Sequence, residues 1–144
     1  MKKLTIGSAV YDDPQGIWYT YQSLRLNNND ILQDLEFIVI DNNPSSKEGR
    51  ATKEVCRKFG AKYIPYTKKT TTACRNEIFS NATGLFTMSL DSHVLLEPDT
   101  IKKFIAYTED NPETEDLLQG PMLHDSLGVG AMETHMKPEW RDDM

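Results

Sequence analysis

The sequence predicts an α/β fold in which a mostly parallel sheet is covered by helices on both faces. Short apolar runs alternate with segments whose apolar residues recur every three to four positions, which is typical of alternating strands and helices. The run from Glu36 to Ile40 is almost continuously apolar, as expected of a strand buried on both faces. With 144 residues, the chain is long enough for one domain with a substantial core.

The first strand is predicted at Leu4 to Val10, and the turn residues at 11–14 end it. A helix follows because three apolar residues share one face, namely Ile17, Tyr21 and Leu24. The second strand, at 36–40, ends in a turn at 41–44. A second helix is expected to carry Ala51, Val55 and Phe59 on one face and to stop at Gly60.

Two further strand and helix pairs complete the pattern. The third strand is predicted at 62–66, and its helix carries Cys74, Ile78 and Ala82 on one face. The fourth strand is predicted at 85–90, and its helix opens at Pro98 with Ile101, Phe104 and Ile105 on one face. Residues 117–123 could add one more strand.

Composition excludes several function classes. No apolar run approaches the roughly 18 residues of a membrane-spanning helix, and a net charge of −6 argues against a nucleic-acid partner. The acidic excess lies in the last 44 residues, whereas 47–75 hold nine basic residues, so an anionic ligand is plausible there. Two cysteines without metal-binding spacing predict buried thiols in a cytoplasmic protein.

The carboxyl ends of the predicted strands are where ligands of open α/β sheets bind. These ends carry 8–11, 41–42, 66–69 and 91–93. Neither the glycine-rich motif of dinucleotide sites nor a phosphate-binding P-loop is present. The sequence therefore disfavours both of those nucleotide sites.

The segment Asp91-Ser92-His93 follows the fourth strand. Alternate strand residues share a face, so the carboxylate and the imidazole can point the same way. Such a pair suits Mn²⁺ or a related divalent ion, with phosphate and water oxygens completing the shell. The alternative is a simple turn capped by Asp91, with His93 half-exposed.

Four other polar residues fall at strand ends. Asp41 could accept a hydrogen bond from a base or a ribose, or it could form an Asx turn with the residues that follow. Lys68, Lys69 and Arg75 surround the exit of the third strand and could attract an anion. Each could instead be an ordinary surface cation.

Taken in order, these segments resemble the GT-A glycosyltransferases, especially those of family 2 and the polypeptide N-acetylgalactosaminyltransferases. The resemblance spans 3–107 and rests on LTIGSAVYDDP, FIVIDNNPSS, CRNEIFSNATG and LFTMSLDSHVLLEPDTI. Asp91-Ser92-His93 stands where the commoner motif is Asp-x-Asp, and Asp-Ser-His is the form of the N-acetylgalactosaminyltransferases. The helix that usually reads Ala-Arg-Asn is here Ala73-Cys74-Arg75-Asn76, with one residue inserted.

The resemblance implies the Rossmann-like fold of nucleotide-diphospho-sugar transferases, formed as a single GT-A-like domain over 1–144. Residues 1–107 would bind the donor, and 108–144 would begin the acceptor side. The implied donor site includes Ser8, Ala9 and Tyr11 around uracil and ribose, Asp41 on the base, Lys68 or Lys69 near the uracil or diphosphate, and Arg75 near the sugar or diphosphate. Asp91 and His93 would hold Mn²⁺ or Mg²⁺, Ser92 would belong to the same donor-binding site, and Asp91 and Arg75 would be the catalytic residues.

The implied reaction is transfer of a sugar from a UDP-sugar, either UDP-glucose or a UDP-N-acetylhexosamine, to a hydroxyl of a saccharide or protein acceptor. An inverting enzyme needs a carboxylate base, but spacing selects none of the acidic residues near the end: Glu133, Glu139, Asp142 and Asp143. Retention of configuration is therefore slightly favoured. The alternatives are a non-catalytic or truncated donor-binding module and, less favoured, a sugar-1-phosphate nucleotidyltransferase, whose glycine-rich first loop is missing.

Overall fold

The computed structural model describes residues 1–68 and 72–120, together with the backbone of two short strands further along the chain. The chain forms two compact units, Met1–Pro112 and Glu113–Met144. In the described part of the chain, none of the helices combines the length and the apolar character that crossing a membrane requires.

In its described residues, the first unit contains a four-stranded parallel sheet and four α-helices. The strands are β1 Leu4–Val10, β2 Leu35–Asp41, β3 Lys62–Pro65 and β4 Phe86–Ser89. The helices are α1 Pro14–Asn27, α2 Lys47–Phe59, α3 Asn76–Asn81 and α4 Thr100–Asp110, with short 3-10 helices at Asn29–Asp34 and Ala73–Arg75. In the second unit, β5 Met122–Leu123 and β6 Met132–Glu133 form an antiparallel pair.

The strand order is β3-β2-β1-β4, and every pairing is parallel. The chain adds β2 and β3 on one side of β1 and then crosses back to place β4 on the other side. The strand order thus reverses between β1 and β4, and the carboxyl ends beside such a switch point form the crevice in which α/β proteins bind ligands.

The sheet is covered on both faces, as the sequence predicts. Alternate residues of a strand point to opposite faces, and β2 shows the division clearly. Phe37 and Val39 belong to one apolar cluster with residues of α1, α2 and α4, whereas Ile38 and Ile40 belong to a second cluster with Cys74 and Ile78. All six side chains are less than 9% exposed, so burial on both faces explains the nearly continuous apolar run.

Local capping fixes where the helices begin and end. Asp13 caps α1, Ser46 caps α2 by accepting from the Gly49 amide, and Gly60 ends α2 with a φ of 70°. A left-handed φ suits glycine because it has no Cβ. The predicted stop at Gly60 is confirmed.

Three details differ from the sequence prediction. The side chains of α2 that face the sheet are Thr52 and Cys56, whereas Ala51 is exposed and Val55 and Phe59 are half-buried, because Phe59 packs sideways on aromatic rings of α1. The third helix starts as a 3-10 turn. The strand predicted at 117–123 is wrong for 117–120, which has no regular structure.

Candidate functional site at the carboxyl ends of β1 and β4

The turn after β1 and the loop after β4 meet at the switch point of the sheet. Asp13 ends the first turn, and Ser92 and His93 lie in the second. The Ser92 hydroxyl donates to Oδ2 of Asp13 at 2.8 Å, and Nδ1 of His93 lies 3.4 Å from the same oxygen. The two loops are therefore joined through one carboxylate.

The other carboxylate oxygen of Asp13 is also engaged. Its Oδ1 accepts from the Gly16 amide at 2.8 Å and so caps α1. Burial raises the pKa of Asp13, but the hydrogen bonds from Ser92 and Gly16, together with His93, outweigh burial and bring the pKa below its usual value. Asp13 is thus an ionised acceptor at neutral pH, and its position is fixed from both sides.

A polar stripe on α1 holds the loop after β4. The Thr20 hydroxyl donates to the Ser92 carbonyl at 2.8 Å and accepts from the Val94 amide at 3.0 Å. One turn later, the Ser23 hydroxyl accepts from the Leu96 amide at 2.8 Å. Thr20 and Ser23 therefore form hydrogen bonds with backbone groups of 92–96, as a neighbouring strand would in a sheet.

Gly16 allows this close approach. A Cβ built on Gly16 would collide with the carboxylate of Asp13 and the carbonyl of Ser92. Only glycine lacks that atom, so the identity of residue 16 is set by the loop that carries Ser92 and His93.

Arg75 reaches the same edge from the opposite face of the sheet. Its Nη2 donates to Oδ1 of Asp91 at 2.5 Å, and both side chains are about half exposed, at 51% and 45%. The sequence predicts Arg75 and Asp91 as site residues separately, and the fold brings them into contact. At this edge a guanidinium can bind the oxygens of a diphosphate, and a carboxylate can bind the cation that accompanies the diphosphate.

Asp12 joins the turn after β1 to the loop after β2. It has a left-handed φ of 53°, and its carboxylate accepts from Nδ2 of Asn43 at 3.0 Å and from the Ser46 hydroxyl at 2.6 Å. Tyr11, immediately before it, is 65% exposed. The hydrogen bonds of Asp12 therefore fix the backbone next to the exposed side chain of Tyr11.

Asp41 is buried, with 1% exposure. Its Oδ1 accepts from the Asn43 amide at 2.9 Å and its Oδ2 accepts from the Tyr63 hydroxyl at 2.7 Å. Burial and this contact raise the pKa of Tyr63, and burial together with the charge of Asp41 raises the pKa of Cys56 to about 12. The Asx turn that the sequence offers as the alternative for Asp41 is therefore present, and its carboxylate does not face the exposed edge.

The other residues predicted for the donor site differ in how far their side chains are exposed. Ser8 lies on the face of β1 that carries the core residues Leu4, Ile6 and Val10; it is 0% exposed, and its Oγ has no hydrogen-bond partner among the described residues. Ala9 is half-buried and Lys68 is exposed. The structure thus does not bring the Ser8 side chain to the edge. Several predicted residues lie outside the part whose side chains are described: Lys69, Glu133, Glu139, Asp142 and Asp143.

The side chains at the end of β4 offer the kinds of ligand atom that a divalent ion accepts. Asp91 and His93 are 45% and 74% exposed, and they offer a carboxylate oxygen and an imidazole nitrogen, which Mn²⁺ accepts as ligands. Among the residues described, no three or more His, Cys, Asp or Glu side chains are grouped so as to hold a metal. Two protein ligands are sufficient only where the oxygens of a substrate and water complete the shell.

Sequence reasoning missed Asp12, Asp13 and the buried stripe of α1. Asp12 and Asp13 were interpreted only as residues that end the first strand, although an aspartate before Pro14 is a signal for a helix N-cap. Thr20, three residues after Ile17 and four before Leu24, lies at the border of the apolar face, and Thr20 and Ser23 are polar by type, yet they are 0% and 8% exposed. Their three-residue spacing on one helix face was the available signal.

Comparisons with known proteins identify a matching family and structures of similar fold. The sequence model of the family described as glycosyl transferase family 2 matches residues 5–120. No curated protein sequence matches the chain.

Solved structures of similar fold include TarS of S. aureus, with a TM-score of 0.62 at 20% identity, over 76% of this chain and 20% of that one. The 1–349 part of TarS in complex with UDP-GlcNAc gives 0.59 at 18% identity, over 75% and 31%. The mannosyltransferase PcManGT from Pyrobaculum calidifontis, in complex with GDP-Man and Mn²⁺, gives 0.61 at 17% identity, over 74% and 32%. The chain spans about a fifth to a third of the length of the chains in these three structures.

Proposed function

Because the chain belongs to glycosyl transferase family 2, we propose that it transfers a sugar from a nucleotide-sugar donor to a hydroxyl group of an acceptor. The observation that carries this proposal is the ion pair between Arg75 and Asp91, beside His93, at the switch point of the parallel sheet. This arrangement combines an anion-binding cation with two potential metal ligands at the edge where α/β folds bind nucleotides.

Sugar transfer breaks the bond between the anomeric carbon and a diphosphate oxygen, so negative charge grows on the leaving diphosphate. Arg75 presents several N–H donors and a fixed positive charge, which suits phosphate oxygens. Lys68, exposed after β3, adds a second cation. Groups that stabilise developing charge are the main source of rate enhancement in such a reaction.

Asp91 and His93 would hold Mn²⁺ or Mg²⁺, which supplies further positive charge to the diphosphate when it is bound. Asp91 already has one carboxylate oxygen on Arg75. Release of Arg75 from Asp91 would free that oxygen for the ion and the guanidinium for the donor. The same two residues thus serve metal and diphosphate together.

We propose a UDP-sugar as the donor, either UDP-glucose or a UDP-N-acetylhexosamine. The exposed ring of Tyr11 offers a surface on which a base can stack, and Ala9 lies on the strand beside it. Ser8 and Asp41 are left out of the contacting side chains because both are buried. UDP and GDP are the two nucleotides to compare, because TarS has been solved with UDP-GlcNAc and PcManGT with GDP-Man.

The acceptor is a hydroxyl of a saccharide or a protein, and retention of the anomeric configuration stays a prediction. Asp13 and Asp41 are both tied up in hydrogen bonds near the site, so neither is free to deprotonate an acceptor. Nuclear magnetic resonance of the first-formed product gives the anomeric configuration directly.

The deciding experiment measures nucleotide release by the 144-residue chain from UDP-glucose, UDP-N-acetylglucosamine, UDP-N-acetylgalactosamine and GDP-mannose, each with Mn²⁺ or with a chelator. Metal-dependent UDP release that disappears in the Asp91→Ala and His93→Ala variants supports the proposal. Metal-dependent UDP binding without release from any donor identifies the non-catalytic donor-binding module instead. Absence of both overturns the assignment of the site.

A further inference from the structure

Asp13 connects the cap of α1 to the imidazole of His93. Its Oδ1 is held by the Gly16 amide and its Oδ2 by the Ser92 hydroxyl, both at 2.8 Å. The carboxylate cannot turn without losing one of these bonds. Nδ1 of His93 lies 3.4 Å from Oδ2, so the ring is adjacent to an acceptor whose position is fixed.

Ser92 strengthens the same preference. Its side chain is nearly buried, at 6% exposure, and its single hydroxyl proton is donated to Asp13. The Ser92 oxygen, 3.4 Å from Nδ1 of His93, can therefore only accept from the ring. Both atoms beside Nδ1 are acceptors, so they favour the tautomer in which Nδ1 carries the proton.

A neutral imidazole protonated on Nδ1 has its lone pair on Nε2. We infer that Asp13 is a positioning residue that holds His93 through Nδ1 and leaves Nε2 as the nitrogen for a divalent ion. The inference rests on the proposed function, in which His93 is a ligand of that ion, and it adds a residue outside the predicted site. Carboxylates behind metal-binding histidines commonly raise metal affinity about 10- to 100-fold.

The informative variant is Asp13→Asn. Asparagine keeps an oxygen for the Gly16 amide and remains a good helix cap, so folding is preserved. It replaces the second oxygen with an NH₂ donor, which would face Nδ1 of His93 and favour the opposite tautomer. Asp30→Asn is the control because Asp30 is a surface aspartate paired with Lys102.

The first readout needs no metal. Long-range ¹H–¹⁵N spectra, recorded on the alkaline plateau of a pH series, report which ring nitrogen carries the proton, and a His93→Gln spectrum assigns the signals. We expect His93 to be protonated on Nδ1 in the wild type and in Asp30→Asn, and on Nε2 in Asp13→Asn. A wild-type His93 protonated on Nε2 overturns the inference.

The second readout is Mn²⁺ affinity in the presence of UDP, measured by electron paramagnetic resonance of free Mn²⁺. We expect a loss of about 10-fold or more in Asp13→Asn and no change in Asp30→Asn. Equal affinity in Asp13→Asn and wild type would refute the positioning role while leaving the metal site intact. Failure of the wild type to bind Mn²⁺ would instead refute the metal part of the proposed function, and the tautomer measurement would still test the Asp13 contact with His93.

Discussion

Arg75 and Asp91 form an ion pair, with 2.5 Å between Nη2 and Oδ1, although Arg75 precedes β4 in the chain and Asp91 follows it. Arg75 ends the 3-10 helix before α3, and Asp91 follows β4. In the proposed function the two residues have different partners, since Arg75 binds diphosphate and Asp91 binds the metal ion. Donor binding must therefore replace the contact between Arg75 and Asp91 with contacts to the diphosphate and the metal ion.

The first prediction separates the two roles of this pair. Arg75→Ala should weaken binding of UDP about 10- to 100-fold, because a charge-assisted hydrogen bond contributes about 1.5–3 kcal/mol. The same variant should bind Mn²⁺ alone at least as tightly as the wild type, because Asp91 loses a competing cation. Isothermal titration calorimetry with UDP and with Mn²⁺ measures both effects.

Arg57→Ala is the control for Arg75→Ala, since Arg57 is an exposed arginine of α2 paired with Glu54. It should leave both affinities unchanged. Unaltered UDP binding in Arg75→Ala would show that this arginine does not contact the diphosphate.

Much of the fold was predictable because the patterns that define it are local. The strand 4–10 is observed at the predicted bounds, and the second strand is recognisable because burial on both faces leaves no polar position from Phe37 to Ile40. The face of α2 was mispredicted because Thr52 and Cys56 are not strongly apolar, yet they are the small side chains that allow α2 to lie close to the sheet.

The site was predictable only in part because its contacts join residues far apart in sequence. Periodicity cannot show that Arg75 meets Asp91 or that Asp13 meets Ser92, which is 79 residues away. Periodicity places Thr20 only at the border of the apolar face of α1, and hydropathy does not show whether its hydroxyl is exposed or is buried against backbone groups. Only the path of the loop after β4 distinguishes the two.

The second prediction concerns that buried hydroxyl. Thr20→Val keeps the shape of the side chain but leaves the Ser92 carbonyl and the Val94 amide without their partner. Unpaired buried backbone groups cost about 1–3 kcal/mol, so we expect urea denaturation to show a loss of about 2 kcal/mol. Binding of Mn²⁺ with UDP should weaken as well, because the loop that carries His93 loses its anchor.

Thr108→Val is the matched control for Thr20→Val. Thr108 is also buried, at 6% exposure, but its hydroxyl donates to the Ile105 carbonyl one turn earlier in its own helix, α4. We expect a loss below about 1 kcal/mol and no change in ligand binding. Equal losses in the two variants would contradict the anchoring role of Thr20.

The third prediction compares the two aspartates that have left-handed backbone, Asp12 and Asp99, with φ of 53° and 63°. Asp99 precedes α4 without a side-chain cap, so Asp99→Gly should relieve strain and stabilise by about 0.5–1 kcal/mol. Asp12→Gly should destabilise, because it removes the contacts with Asn43 and Ser46. Thermal unfolding of both variants tests the contrast, and a common sign would count against it.

The last prediction uses Glu36, which lies away from the proposed site. Its Oε2 accepts from the Thr5 hydroxyl at 2.6 Å and from the Thr83 amide at 2.8 Å. Burial raises the pKa of Glu36, but these hydrogen bonds outweigh burial and lower the pKa below its usual value. The ionised form is therefore bound better by the folded chain than the protonated form.

A lowered pKa in the folded state means that its stabilising effect is present above the unfolded pKa, about 4.3, and is lost as the pH falls through the folded pKa. At pH 7 we expect Glu36→Gln to be less stable than the wild type by about 1 kcal/mol. The difference should shrink as the pH is lowered below about 4.3. Urea denaturation across that range measures it, with Glu54→Gln as an exposed control whose effect stays small. A difference that does not depend on pH would show that the hydrogen bonds from Thr5 and Thr83 do not depend on the charge of Glu36.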